Sequence, residues 1–157
     1  MNHYLSLQPN PTTINYNWLQ PMQITVDQNA NSNYPTIAKD FLEKYALASN
    51  YGISYTGHFY NSTSFVTIYV HQGQLNHLHE TVGYTNYINK LVELGINLIK
   101  YQTITHSAQP IGKNNVLVTF YGQAEINGRN YQIKSVFVIR IISGSYRIIN
   151  HVLDVFI

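Results

Sequence analysis

From Pro35 onward the chain alternates between two hydrophobic periods. Ile37, Ala38, Phe41, Leu42 and Tyr45 recur at helical spacing and define one apolar face. Lys39 with Glu43 and Asp40 with Lys44 are four-apart ion pairs on the opposite face. Pro35 suits the first turn of this helix, where its missing N–H costs nothing. Gly52 interrupts the pattern, and Ile53 to Tyr60 reads as a second, short helix. The period then drops to two. Phe65 to Val70 predicts a strand, Gln72-Gly73 a turn, and Gln74 to Glu80 a partner strand. A third helix follows from Tyr84 to Leu94, with Tyr84, Ile88, Leu91 and Val92 expected inward and Gly95 as a left-handed stop.

The remainder has strand composition. Asn97 to Gln109, Val116 to Ile126, Tyr131 to Ile142 and Tyr146 to Phe156 predict a four-strand antiparallel meander. Asn127-Gly128 and Ser143-Gly144 mark tight hairpin turns, which need positive φ. The expected class is α+β with segregated elements. In "SVFVIRIIS", Phe137, Ile139 and Ile141 point to one face and Val136, Val138 and Ile142 to the other. A sheet wetted on one side alternates apolar with polar. Helices can cover one face of this strand, and a second copy of the chain is the expected cover for the other, so a homodimer is predicted.

Residues 1–34 are rich in Asn, Gln, Pro and Thr and have no sustained period. They are expected to form a partly disordered extension, with residues 35–157 as the domain. Trp18 and the apolar piece from Asn17 to Val26 are expected to dock on that domain.

Composition narrows the partners. The 157 residues contain only 9 Lys and Arg against 7 Asp and Glu, which argues against a dedicated nucleic-acid binder. The chain has no cysteine, no run of eighteen apolar residues and no secretory signal pattern, so an intracellular protein, cytoplasmic or nuclear and without a membrane span, is expected. No dinucleotide, phosphate-loop or nucleophile-elbow motif occurs.

The segment "GHFYNSTSFV" sets an aromatic pair, a small polar run and an aromatic strand start in succession. With "IAKDFLEKYA" before it and "YRIINHVLDVF" closing the chain, it resembles the nuclear transport factor 2-like family, in its transport and scaffold branch, over Pro35 to the C-terminus. The resemblance implies a cone of three helices packed on a strongly curved antiparallel sheet. It implies that Tyr60 points into the core while Phe59 lies near the surface beside the first helix. It also implies a non-catalytic module for short Phe-containing peptides of the Phe-Gly type, in nucleocytoplasmic transport or RNA-granule scaffolding, with no cofactor. The positions carried over for the peptide slot are Ile37, Phe41, Phe59 and Leu153, Leu153 standing where the family has an aromatic residue. Relatives that carry the GTPase Ran use an acidic cluster. Here that stretch is "QAEING", with Glu125 alone acidic and His151 at the closing position, which argues against Ran.

Other chemistries weigh less. The same fold hosts isomerases and dehydratases that work inside the cone and need a buried acid or base facing a cavity. Tyr55, His58, His106 and Asp154 are the residues expected to line such a cavity, with Glu80, Tyr84 and Tyr101 as further candidates. His71, His77 and His79 suggest a metal, but without a carboxylate or cysteine at compatible spacing no metal site is expected. Lys134, Arg140 and Arg147 with Tyr131 and Tyr146 form a small basic and aromatic set, read as protein-facing.

Overall fold

A computed structural model describes residues 33–157, and the expected behaviour of the extension, including Trp18, lies outside the described residues. Helix α1 spans Tyr34–Tyr51 and buries Ile37, Ala38, Phe41, Leu42, Tyr45 and Ser49, the predicted stripe continued by one turn. Its outer face carries both expected ion pairs, Lys39–Glu43 at 3.9 Å and Lys44–Asp40 at 3.0 Å. Both are solvated, so each contributes a few tenths of a kcal/mol, roughly 0.2–0.5.

The second helix, Ile53–Phe59, is a 3₁₀ helix rather than α. Its buried residues, Ile53, Thr56 and Phe59, recur every third position, which is the repeat that puts side chains on one edge of a 3₁₀ helix. The polar run after it turns the chain. Asn61 Oδ1 accepts from the Thr63 backbone N–H at 2.8 Å, and the buried Ser64 Oγ donates to the Ile148 carbonyl at 2.6 Å.

Strands β1 (Phe65–Gln72) and β2 (Leu75–Val82) form a hairpin, followed by helix α2 (Tyr84–Glu93). Helix α2 buries Tyr87 and Leu91, with Tyr84 and Ile88 packed at its margin, while Val92 is 53% exposed. The inward stripe is thus 84, 87, 88 and 91, and Val92 lies one residue round the helix from it. Strands β3 (Ile99–Ile111), β4 (Asn115–Ile126), β5 (Arg129–Ile142) and β6 (Ser145–Phe156) complete the chain. Asn127-Gly128 and Ser143-Gly144 all have positive φ, as the predicted tight turns require.

The six strands form one sheet in the order β2-β1-β6-β5-β4-β3. The four pairings made by the β1–β2 hairpin and the β3–β6 meander are antiparallel as expected, but β1 and β6 pair in parallel, with Phe65 opposite Asn150. The sheet is therefore mixed. Strands joined by a tight turn must run antiparallel, whereas β1 and β6 meet through packing and have no such constraint. Ladder irregularities at Tyr101–Thr103 of β3 and at Val138–Ile139 of β5 bend the sheet around the helices. Opposite the first, a Cβ on Gly122 would lie 1.8 Å from the Thr103 carbonyl oxygen, so the bulge demands glycine there.

The core lies between the helices and the inner sheet face, where Ile68, Phe120, Phe137, Ile148 and Leu153 are fully buried. On β5, Phe137 and Ile139 are buried as expected, but Ile141 is 42% exposed, because the β5–β6 hairpin runs beyond the helices. Val136 and Val138 stay half-buried on the outer face. Among the described residues no helix is long and apolar enough to cross a membrane.

Candidate functional site

The four expected slot residues are all core. Ile37 is 8%, Phe41 0%, Phe59 3% and Leu153 0% exposed. Phe59 is not a surface ring: it meets Phe41 edge-on at 5.7 Å, and its neighbour Tyr60 is buried as well. A 3₁₀ helix of period three turns position 59 under α1, whereas the resemblance implied a ring near the surface beside that helix. The described conformation has no open slot among these four.

An open groove lies alongside. The second half of α1 contributes Lys44, Leu47, Ala48 and Tyr51; the 3₁₀ helix contributes Tyr55, His58 and the edge of Phe59; the β5–β6 hairpin closes it with residues 144–147. Its volume is about 600 Å³. Leu47, Tyr51 and Tyr55 are 60%, 73% and 61% exposed, a conspicuous apolar and aromatic rim on one chain. The hairpin is tied down by Arg147, whose Nη1 donates to the His58 carbonyl at 2.6 Å, and by Tyr146, whose hydroxyl donates to Asp40 Oδ2 at 2.5 Å. That hydrogen bond, then Lys44, holds the Asp40 carboxyl below its ordinary range. Burial and the same carboxylate push the Tyr146 phenol up to about 12. Lys44 Nζ sits 5.5 Å from the Tyr146 ring centre. Leu47 and Tyr51 were legible as apolar residues four apart on a face otherwise read as polar, continued by Tyr55.

The interior holds a closed polar chain. Tyr45 and Tyr60 share a hydroxyl hydrogen bond of 2.7 Å, Tyr60 reaches His151 Nδ1 at 2.9 Å, and His151 Nε2 reaches Ser135 Oγ at 3.0 Å. The His151 ring stacks on Phe137 with centres 4.0 Å apart. Burial lowers the imidazole pKa to about 3 and raises the phenols of Tyr45, Tyr60, Tyr87 and Tyr101. Every member is neutral at ordinary pH, and the chain's groups satisfy one another rather than a ligand. His151, expected at a Ran-facing position, faces this interior.

The four cavity candidates are dispersed. Tyr55 and His58 line the groove. His106 is exposed on β3, opposite Phe120. Asp154 alternates outward between Leu153 and Val155 and bonds His71 Nε2 at 2.8 Å on the outer sheet face. Of the further candidates, Glu80 is exposed on β2, and the Tyr84 hydroxyl donates to the carbonyls of Ile53 and Ser54 at 3.0 and 2.8 Å. His77 and His79 face inward on β2, away from His71, and among the described residues no three His, Asp or Glu side chains are placed to share a metal. His79 Nε2 is buried without a hydrogen-bond partner among the described residues. Arg140 and Arg147 are paired across β5 and β6, but Lys134 lies six residues away, roughly 20 Å along the strand.

No family profile matches the chain. It is 26% identical over 130 residues to uncharacterized protein L295 of Acanthamoeba polyphaga mimivirus, a match spanning 80% of this chain and 66% of the length of that relative. Among solved structures it is similar to nuclear transport factor 2 from Cryptosporidium parvum, with a TM-score of 0.65 and 21% identity over 80% of this chain and 97% of that one. A yeast complex of deubiquitinase Ubp3 with its cofactor Bre5 matches with a TM-score of 0.54 and 18% identity, over 77% and 95% of the two chains. The β subunit of a putative aromatic-ring-hydroxylating dioxygenase from Novosphingobium aromaticivorans matches with a TM-score of 0.58 and 10% identity, over 78% and 88%. These likenesses show a shared fold.

Proposed function

We propose that this chain, which has the nuclear transport factor 2-like fold, is a non-catalytic protein-interaction module that binds short Phe-containing segments. The observation that carries the reading is the groove between α1, the 3₁₀ helix and the β5–β6 hairpin. Its apolar wall of Leu47, Ala48 and Phe59 and its rings Tyr51, Tyr55 and Tyr146 suit one inserted aromatic side chain, the usual anchor of such recognition. Phe41, edge-on to Phe59, then supports that ring from behind, and Ile37 and Leu153 belong to the same buried core. The yeast Ubp3–Bre5 complex, built on the same fold, supports a protein partner. Dispersal of Tyr55, His58, His106 and Asp154 over separate surfaces supports the non-catalytic reading.

The partner arrangement includes a second copy of the chain. On the outer sheet face Phe65, Val152 and Phe156 are 39%, 37% and 39% exposed, and Tyr121 58%, beside the half-buried Val136 and Val138. Val152 pairs directly with Val136, and Phe65 and Val138 flank Asn150 in the next ladder row; this apolar patch over β1, β6 and β5 supports a homodimer packed through the sheet. Light scattering at micromolar concentration, wild type against Val136→Lys, tests it: a doubled mass reduced to one chain in the variant is expected, and a monomeric wild type overturns it.

The groove is tested by a heteronuclear NMR titration with short Phe-Gly peptides, comparing wild type with Leu47→Lys and Tyr55→Ala. Both changes are on exposed side chains and leave the core intact. Saturable shifts at Tyr51, Tyr55 and Tyr146 that weaken about tenfold or more in either variant are expected, since one well-placed anchor is worth about 1–2 kcal/mol. Absence of saturation at millimolar peptide, or binding indifferent to both variants, refutes the groove.

A further inference from the structure

A second concavity lies away from the groove, at the end of the sheet where the turn after α2 overhangs β1 and β6. It measures about 430 Å³, within the range of small-molecule sites. Its floor is apolar: Val70, Ile96, Ile126 and Val155 are 8%, 7%, 5% and 1% exposed. One wall is rigid. The Asn127 side chain accepts from the Asn97 backbone N–H and donates to the Gly95 carbonyl, which clamps the β4–β5 hairpin to the turn leaving α2. Tyr131 and Leu94 complete the sides, both half-buried.

Among the described residues Arg129 has the one charged side chain in the lining, beside the polar His77, Gln72 and Asn127 and without an Asp or Glu side chain, and the exposed Ile157 also borders it. Among the described residues the Arg129 guanidinium makes no ion pair and donates no hydrogen bond. A planar guanidinium with open donors beside an apolar pocket is the arrangement that receives a carboxylate bidentately while the body attached to it leaves water.

We infer that this pocket is a binding site for small amphipathic carboxylates, an apolar body of medium chain length on Val70, Ile96, Ile126 and Val155 with its head group on Arg129. The site shares no residue with the peptide groove, so each stands or falls by its own experiment. It also replaces the cavity expected from sequence, since none of Tyr55, His58, His106 or Asp154 lines it.

The test uses the full chain and three probes of equal length: octanoate, octanol and octylamine, followed by heteronuclear NMR. Octanoate is expected to saturate, with shifts confined to Gly95, Ile96, Asn127, Arg129 and Tyr131. Octanol should bind about tenfold more weakly and octylamine more weakly still, because neither offers the guanidinium a charged acceptor. Arg129→Gln, at an exposed position, should weaken octanoate about tenfold and leave octanol unchanged. Equal binding of octanoate and octylamine, octanoate binding unaffected by Arg129→Gln, or no saturation by about 10 mM of any probe would each overturn the site.

Discussion

Acid should destabilise this protein through His151. In the fold, burial against Phe137, Tyr45, Tyr60 and Tyr87 lowers the imidazole pKa from 6.5 to about 3, and among the described residues no carboxylate bonds the ring to offset the cost of charge. Between these two values the unfolded chain binds a proton that the folded chain refuses. Stability from this residue is therefore fully present above pH 6.5 and is lost as pH falls towards 3. One pKa unit corresponds to about 1.4 kcal/mol, so the loss from pH 6.5 to 5 is about 2 kcal/mol. His151→Phe removes the titration and keeps a ring on Phe137. At pH 7 it leaves Ser135 Oγ without its histidine partner while Tyr60 keeps Tyr45, a cost of roughly 1–3 kcal/mol. Wild type should thus be the more stable at pH 7, and the two should converge near pH 5 and cross below it. Urea unfolding by circular dichroism at one protein concentration, in half-unit pH steps, measures the difference. A wild-type advantage constant within about 0.5 kcal/mol from pH 7 to 5 would refute the reasoning, because it would mean that His151 accepts its proton as easily folded as unfolded.

Three other substitutions probe the fold. Gly122→Ala should cost about 3 kcal/mol or more, or abolish soluble expression, because its Cβ would stand 1.8 Å from the Thr103 carbonyl oxygen; a near-neutral urea midpoint would show that the β3 bulge relaxes. His79→Leu should raise stability by about 1 kcal/mol, since it deletes a buried ring nitrogen with no partner; a lower midpoint would show that a water satisfies it. Tyr146→Phe should let the Asp40 pKa rise towards 3.8, because the phenol is the main group stabilising that carboxylate; an unchanged NMR titration would assign the shift to Lys44 instead. Asp40 is solvated, so its lowered pKa contributes only a small stability above pH 3.8, lost as pH falls further.

What the sequence determined by itself is local. The stripe Ile37-Ala38-Phe41-Leu42-Tyr45, the punctuation at Gly52 and Gly95 and the turns Asn127-Gly128 and Ser143-Gly144 specify elements through a repeat of 3.6 or 2 and through positive φ, and both properties belong to neighbouring residues. Element order together with the segments "IAKDFLEKYA", "GHFYNSTSFV" and "YRIINHVLDVF" was enough to suggest the fold. Only the tertiary structure decided what depends on residues far apart in the chain. The parallel seam of β1 on β6 is free of any turn that would dictate its direction. Which aromatic residues wall a groove and which are sealed follows from where the β5–β6 hairpin lands, so Phe59 is core and Leu47 is rim although both are apolar. Asp154 and His151 sit three residues apart on one strand. One meets His71 in partial solvent outside, the other is locked to Tyr60 and Ser135 inside, because strand alternation assigns sides only once the sheet has chosen which face the helices cover.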